Sequence, residues 1–248
     1  MYDTTASPLV MALPGLITTG LLALLALGLL RRHPYRLSWA LALAPTLGLL
    51  ATQQNPLSWP LAPLVLSAVL ATLITRMAQY RISAALGIIA ALAISGFQLF
   101  MQLPFAELLP LALLPLLALA GSPQPHHSSR LFAQSLGGAF IALAIALSAS
   151  TETGLWIGLI TLTTGLTWLA TCVINIDTQH SEAPLRLAHL LTLGYAQLYI
   201  GLPLESFITA ALALGLRLPV QNAWLNPFIS LIFGGLTLWQ LWPSQSLF

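Results

Sequence analysis

The chain has 248 residues, of which 58% are hydrophobic and only 6% are charged. A soluble domain carries about 25% charged residues, so this composition excludes an ordinary water-soluble protein and favours one whose surface faces lipid. Eight arginines and six acids give a net charge of +2, with no lysine. The arginines are spread over short polar segments, so the charge predicts no nucleic-acid partner. The single cysteine, Cys172, excludes an internal disulfide.

Apolar runs follow one another along the chain and are separated by short polar clusters with helix-breaking residues. The first run follows an acid, Asp3, rather than the basic start of a signal peptide, so we predict a retained span. The runs do not alternate apolar and polar residues as barrel strands do. The predicted fold class is therefore all-α, a polytopic transmembrane helix bundle. The predicted spans lie near 8–30, 37–53, 60–75, 82–101, 104–121, 131–149, 155–174 and 224–242, with a further apolar stretch over 187–216.

The stretch 187–216 decides the number of crossings. As one helix it would measure about 45 Å, whereas the hydrocarbon core is about 30 Å thick, and Gly201-Leu-Pro203 interrupts it. Arginine favours the cytoplasmic side. Two crossings put all eight arginines on one side, whereas one crossing strands Arg217 outside. The alternative is that the stretch forms one tilted helix or a re-entrant hairpin. The arginines are Arg31, Arg32, Arg36, Arg76, Arg81, Arg130, Arg186 and Arg217.

We therefore predict about ten helices with very short loops, forming a single transmembrane domain over 1–248. Both termini are predicted on the non-cytoplasmic side of a bacterial inner membrane. Such a bundle has the lipid bilayer as its first partner, and its minimal loops suggest that any catalysis resides in another subunit.

Acids inside predicted spans are the first candidate functional residues, because a charge at membrane depth is costly. Glu107 lies in the first turns of the fifth span and Glu205 at the start of the ninth. A carboxyl group at that depth can take up and release protons. The alternative is that each acid lies at the interface, near headgroup water or a helix N-terminus.

Polar residues within the seventh and eighth spans could extend such a proton path. The seventh span is rich in threonine, including Thr164 and Thr171, and the next contains His189 and Gln197. Such side chains usually bond a backbone carbonyl or a neighbouring helix, so helix packing is the favoured interpretation for the threonines. The predicted proton path consists of Glu107, Thr164, Thr171, His189, Gln197 and Glu205.

No metal site or other cofactor is predicted. Asp177, His180 and Glu182 occur in the polar segment 175–184, but their spacing fits no ligand pattern, and we interpret the acids as solvated. Only His189 begins a span, too few histidines at depth for bis-histidine haem. The chain also lacks a nucleophile elbow, a zinc-protease helix and a phosphate-binding loop.

Read in order, the middle of the chain resembles the antiporter-like subunits of respiratory complex I, membrane-bound hydrogenases and multisubunit cation/proton antiporters. The resemblance covers about 80–200 and implies a membrane subunit in which Glu107 has the place of the family's fifth-helix proton-path glutamate. The motifs are Leu86-Gly-Ile-Ile-Ala-Ala-Leu-Ala-Ile-Ser-Gly-Phe-Gln-Leu-Phe100, Phe105-Ala-Glu-Leu-Leu109, Ser135-Leu-Gly-Gly-Ala-Phe140 and Glu182-Ala-Pro-Leu-Arg-Leu-Ala-His-Leu190.

The chain departs from this family in two ways. The family carries lysines at mid-membrane, whereas this chain has Trp168 and Thr171 in the seventh span and Tyr195, Gln197 and Tyr199 in the eighth. It also has about ten spans, where the family usually has fourteen. The resemblance thus implies a shortened, degenerate subunit of a proton- or ion-translocating complex, not catalytic by itself.

Two other functions fit the composition. A stand-alone transporter of a small molecule or ion would use broken helices, for which Pro45, Gly96, Pro110–Pro115 and Gly201–Pro203 are candidates. A lipid-modifying membrane enzyme would need acids or histidines clustered with a basic group. The arginines follow the predicted topology and form no such cluster, so this function ranks last.

Overall fold

A computed structural model describes residues 8–52, 88–89, 109–120, 127–176, 178, 181–216 and 224–242. Within these ranges the protein is all-helical, as predicted. A short 3-10 turn, Leu109–Ala112, precedes the third of eight α-helices. The helices are α1 (Pro8–Leu29), α2 (Pro34–Thr52), α3 (Leu113–Ala120), α4 (His127–Ser148), α5 (Thr151–Ile174), α6 (Glu182–Ile200), α7 (Leu204–Gly215) and α8 (Leu225–Leu241).

Close contacts fix the directions of α4, α5 and α6. A methyl group added at Gly154 of α5 would lie 2.7 Å from the carbonyl oxygen of Ala142 in α4. Further along, Gly138 of α4 lies against Thr161, so α4 and α5 are antiparallel. Thr161 in turn contacts His189 of α6, whereas Trp156 packs on Tyr195 with ring centroids 5.3 Å apart. α6 is therefore antiparallel to α5 and parallel to α4.

The remaining helices alternate in the same way. Gly15 of α1 lies against Gly48 of α2, and Thr19 Oγ1 donates to the Ala44 carbonyl, so these two helices form a hairpin. Ser230 of α8 donates to the Ala213 carbonyl of α7, and Thr237 donates to Thr209, which makes these helices antiparallel.

The antiparallel order gathers the described arginines at one end of the bundle, which we call the arginine end. The α1–α2 turn, with Arg31 and Arg32, lies there because the last turns of α1 pack against Ala170 and Ile176 near the end of α5. Arg130 in the first turn of α4 and Arg186 in the second turn of α6 lie at the same end. The start of α1, the α4–α5 turn and the end of α8 occupy the opposite end.

α6 is the central helix. Every residue from Leu185 to Gly194 is buried, although an outer helix would expose one face. Leu187, Leu190, Leu191 and Leu193 join the main apolar cluster with residues of α3, α4, α7 and α8. The polar residues of this stretch therefore face protein on all sides.

Several predicted boundaries agree with the helices to within a few residues. The first span was predicted at 8–30 and α1 is Pro8–Leu29; the last at 224–242 and α8 is Leu225–Leu241. The predicted interruption of 187–216 is confirmed, because Gly201 has a φ of +66° and Leu202 and Pro203 separate α6 from α7. The spans predicted at 60–75 and, except for Ile88 and Ile89, at 82–101 lie outside the described residues.

Among the described helices, three are long and apolar enough to cross a membrane, within Ala12–Leu29, Ser128–Ser148 and Thr151–Ile174. α7 is shorter: its 12 residues rise about 18 Å. The double crossing of 187–216 thus stays a prediction, as does the total of ten helices. Proline does not end every helix, since α2 continues through Pro45.

Candidate functional site

A set of buried polar side chains joins α4, α5 and α6 and runs inward from the arginine end. We call it the polar column. At its outer end Arg130 Nη1 of α4 lies 3.8 Å from Glu182 Oε2 of α6, and their side chains are only 3% and 10% exposed. Removing both charges from water is costly and is offset in part by their mutual attraction. The column comprises Arg130, Gln134, Thr161, Glu182, Arg186 and His189.

The inner end of the column is His189, which has no exposed surface. Its Nε2 lies 3.1 Å from Thr161 Oγ1 of α5, and its Nδ1 lies 3.0 Å from the Leu185 carbonyl oxygen one turn earlier in α6. Gly138 of α4 completes the enclosure, because a methyl group there would lie 2.9 Å from Nε2. Three helices therefore fix the imidazole.

These partners determine the proton positions on a neutral His189. A carbonyl oxygen can only accept, so Nδ1 carries the proton donated to Leu185. Nε2 is then an acceptor, and Thr161 is the donor. If Nε2 gained a proton, the Thr161 hydroxyl would have to turn and accept. Thr161 can therefore bond both the neutral and the protonated imidazole, as donor to the first and as acceptor from the second. Neither arrangement requires a helix to move.

Gln134 and Arg186 lie between the two ends of the column. Gln134 is four residues after Arg130 on α4 and four before Gly138, while Arg186 is four after Glu182 on α6 and three before His189. Residues at these spacings share one helix face. Because α4 and α6 run parallel and touch at both ends of the column, Gln134 and Arg186 occupy the same layer.

Most threonines of α5 satisfy their hydroxyls within their own helix, as expected for helix packing. Thr164 donates to the Ile160 carbonyl at 2.8 Å, and Thr163 and Thr167 make the same contact one turn back. Thr171 donates to the Thr167 carbonyl and also lies 2.9 Å from Thr178 Oγ1. Thr161 is the member of this set that reaches another helix, to contact His189.

The structure brings only part of the predicted proton path together. His189 and Thr164 are fully buried on adjacent helices, and Thr171 lies nearer the arginine end. Gln197 is two turns beyond His189 on α6, with its Oε1 buried and no hydrogen-bond partner among the described residues. Glu205 is exposed in the first turn of α7, at the opposite end. Glu107 lies outside the described residues.

The interpretation of Glu182 as a solvated loop acid is wrong. Glu182 begins α6 and is buried against Arg130. A helix-start signal was present in Ser181-Glu-Ala-Pro184, since Ser is a preferred N-cap residue and an acid favours the first turn. The pairing with Arg130 could not be found in this way, because no local pattern says which helix lies opposite.

Within the described residues, no group of three or more His, Cys, Asp or Glu side chains could hold a metal ion. Comparison with known proteins finds no matching family model, no matching curated protein and no matching solved structure.

Proposed function

We propose that this chain is a membrane-embedded, antiporter-like accessory subunit of a proton- or ion-translocating complex, in a bacterial inner membrane with its arginine end in the cytoplasm. The observation that carries this proposal is the polar column, above all the buried His189. Ionisable groups enclosed by apolar helices are costly, so they commonly mark an ion or proton route.

The outer surface supports a lipid environment. One side of α1 exposes Leu21, Leu24, Leu25 and Leu29, each more than half accessible, and water would disfavour such a patch. Exposed tryptophans flank α8, with Trp224 at its start and Trp239 and Trp242 near its end. Tryptophan favours the membrane–water interface, and the 17 residues of α8 span about 26 Å, close to the hydrocarbon thickness.

The column supports proton handling over a site for a large solute. When Nε2 of His189 gains a proton, rotation of the Thr161 hydroxyl turns Thr161 from donor to acceptor, and no helix has to move. The paired Arg130 and Glu182 place fixed charges between His189 and the arginine end. In this proposal the column takes up protons from the cytoplasmic side, and partner subunits supply the energy.

The alternative of a stand-alone transporter has less support. Its expected helix break at Gly201–Pro203 is a turn at the end of the bundle, whereas transporter sites use breaks near the membrane midplane. Pro45 does not interrupt α2.

Purification followed by a proton assay tests the proposal. The chain is extracted from its native membrane in mild detergent, and copurifying membrane subunits are expected. Proton movement is then followed with a pH-sensitive dye in vesicles of that membrane. We expect His189→Gln to lower the rate by about a hundredfold or more, the range for loss of a proton-transfer group. His33→Gln, at an exposed histidine in the α1–α2 turn, is the matched control.

Two outcomes would contradict this function. Recovery as a lone, well-behaved monomer or homodimer would exclude the accessory-subunit role. A His189→Gln variant that assembles normally and moves protons at the unaltered rate would exclude the column as the proton route.

A further inference from the structure

The middle layer of the polar column contains an unbalanced arginine. Arg186 is 5% exposed, and its Nη1 is buried with no hydrogen-bond partner among the described residues. Glu182 lies one turn earlier on the same helix, but its carboxylate contacts Arg130 of α4. A buried guanidinium nitrogen that makes no hydrogen bond is costly, so this layer favours a negative or strongly accepting group.

Gln134 has the same property in the same layer. It has no exposed surface, and both its Nε2 and its Oε1 lack hydrogen-bond partners among the described residues. An amide can offer two donor hydrogens as well as an acceptor. Gln134 and Arg186 come from different helices, and their positions along α4 and α6 put both between the Arg130–Glu182 pair and the His189–Gly138 contact. Their unused donors therefore lie at the same height in the bundle, on the helix faces that form the column.

The charge of the layer selects the kind of ligand. A cation would be repelled by Arg186, and a neutral solute would leave its charge uncompensated. A small anion accepts hydrogen bonds from both Arg186 Nη1 and Gln134 Nε2 and balances the charge. The enclosing helices favour an ion of few atoms, because a methyl group added at Gly138, one turn from Gln134, would already lie 2.9 Å from His189 Nε2.

We propose that Arg186 and Gln134 bind a small monovalent anion inside the bundle, between α4 and α6 near the arginine end. This site goes beyond the proposed proton role, and it rests on different side chains from the His189–Thr161 pair. The anion neutralises Arg186 and joins α4 to α6 through that layer.

Thermal unfolding of the full chain in mild detergent tests the site, with chloride as the probe. Sodium chloride replaces sodium gluconate at constant ionic strength and pH, so that only the small anion changes. We expect Tm to rise saturably, by about 3–6 °C at a chloride concentration ten times Kd. Arg186→Gln and Gln134→Leu should each abolish or strongly reduce the rise. Arg36→Gln should keep it, because Arg36 is an exposed arginine at the same end.

The proposal is overturned if the wild-type Tm does not respond to chloride, or if the response survives in both column variants. If Arg186→Gln proves too unstable to purify, Gln134→Leu decides the question alone, since it removes both unused amide atoms and keeps the charge. A chloride response with unaltered proton movement in His189→Gln would support this site and contradict the proposed function.

Discussion

Thr161 differs from its neighbours on α5 in what its hydroxyl contacts. Thr163 and Thr164 are equally enclosed, yet their hydroxyls bond carbonyls of their own helix, which already accept backbone hydrogen bonds. Thr161 Oγ1 instead contacts Nε2 of a fully buried histidine on α6. The same residue type therefore serves helix packing at two positions and helix-to-helix bonding at a third.

Thr161→Val should destabilise the protein by about 1–2 kcal/mol, because it removes the hydroxyl that Nε2 contacts in a buried place. Thr163→Val is the matched control and should cost less than about 0.5 kcal/mol, since a threonine bonded to its own helix adds little. Denaturation in mild detergent, followed by circular dichroism, measures both. Equal losses would mean that the contact with His189 contributes nothing to stability.

Glu182→Gln should cost about 3 kcal/mol, because breaking a buried ion pair leaves the charge of Arg130 less compensated. Glu152→Gln is the comparison, since this acid is exposed in the first turn of α5 and contributes only about 0.5 kcal/mol through the helix dipole. The unfolding midpoint of each variant, compared with that of the wild type, measures the two losses of stability. A Glu182→Gln variant as stable as Glu152→Gln would show that the Arg130–Glu182 attraction does not offset its desolvation.

At the scale of helices, small residues set the spacing of the α4–α5 and α1–α2 pairs. Gly154 touches α4 so closely that an added methyl group would lie 2.7 Å from the Ala142 carbonyl oxygen. A methyl group added at Gly48 of α2 would likewise lie 2.8 Å from the Gly15 carbonyl oxygen of α1. Gly235 of α8, in contrast, has no atom within 4 Å of such a group. Only the first two glycines are required by close approach.

Gly154→Ala should therefore destabilise the protein by about 1–3 kcal/mol, the cost of overpacking a rigid contact. Gly235→Ala should be neutral or stabilise by up to about 1 kcal/mol, because alanine is the better helix former. The free energy of unfolding of both variants, measured in the same detergent, checks this difference. Similar shifts of the same sign would mean that α4 and α5 can separate without loss.

Helix positions could largely be predicted from the sequence, because apolar run length and helix breakers act locally. Gly201-Leu-Pro203 illustrates this, since a left-handed glycine followed by proline ends α6 whatever surrounds it. The polar column could be predicted only at His189. The parallel packing of α4 on α6 brings Gln134, Arg130 and Glu182 into one site. This packing depends on contacts between residues far apart in the sequence, such as Arg130 and Glu182, which are 52 positions apart.

At the scale of the whole molecule, the antiparallel order makes sidedness testable. His33 in the α1–α2 turn belongs to the arginine end, and Ala149 in the α4–α5 turn to the opposite end; both are exposed. In a Cys172→Ser background, needed because Cys172 is exposed, we expect a membrane-impermeant maleimide to label Ala149→Cys but not His33→Cys in right-side-out vesicles. The reverse pattern would place the arginine end outside.

The direction of the helices also constrains the number of crossings. α2 ends at the opposite end and α4 begins at the arginine end, so the chain between them has to pass from one end to the other an odd number of times. The spans predicted at 60–75, 82–101 and 104–121 satisfy this condition, whereas two or four spans would not. The prediction of three crossings places Gln79, which lies between Arg76 and Arg81 in the sequence, at the arginine end and Gln102 at the opposite end.

Cysteines at these two positions test the number of crossings, because each position lies in a polar segment between two predicted spans. Gln102→Cys should react with the impermeant maleimide as Ala149→Cys does, and Gln79→Cys should react only after the vesicles are permeabilised. Arginine is retained on the cytoplasmic side during insertion, so Arg76 and Arg81 hold Gln79 there. With Ala149→Cys labelled and His33→Cys protected, labelling of Gln79→Cys and protection of Gln102→Cys would contradict the three crossings, and with them the total of ten.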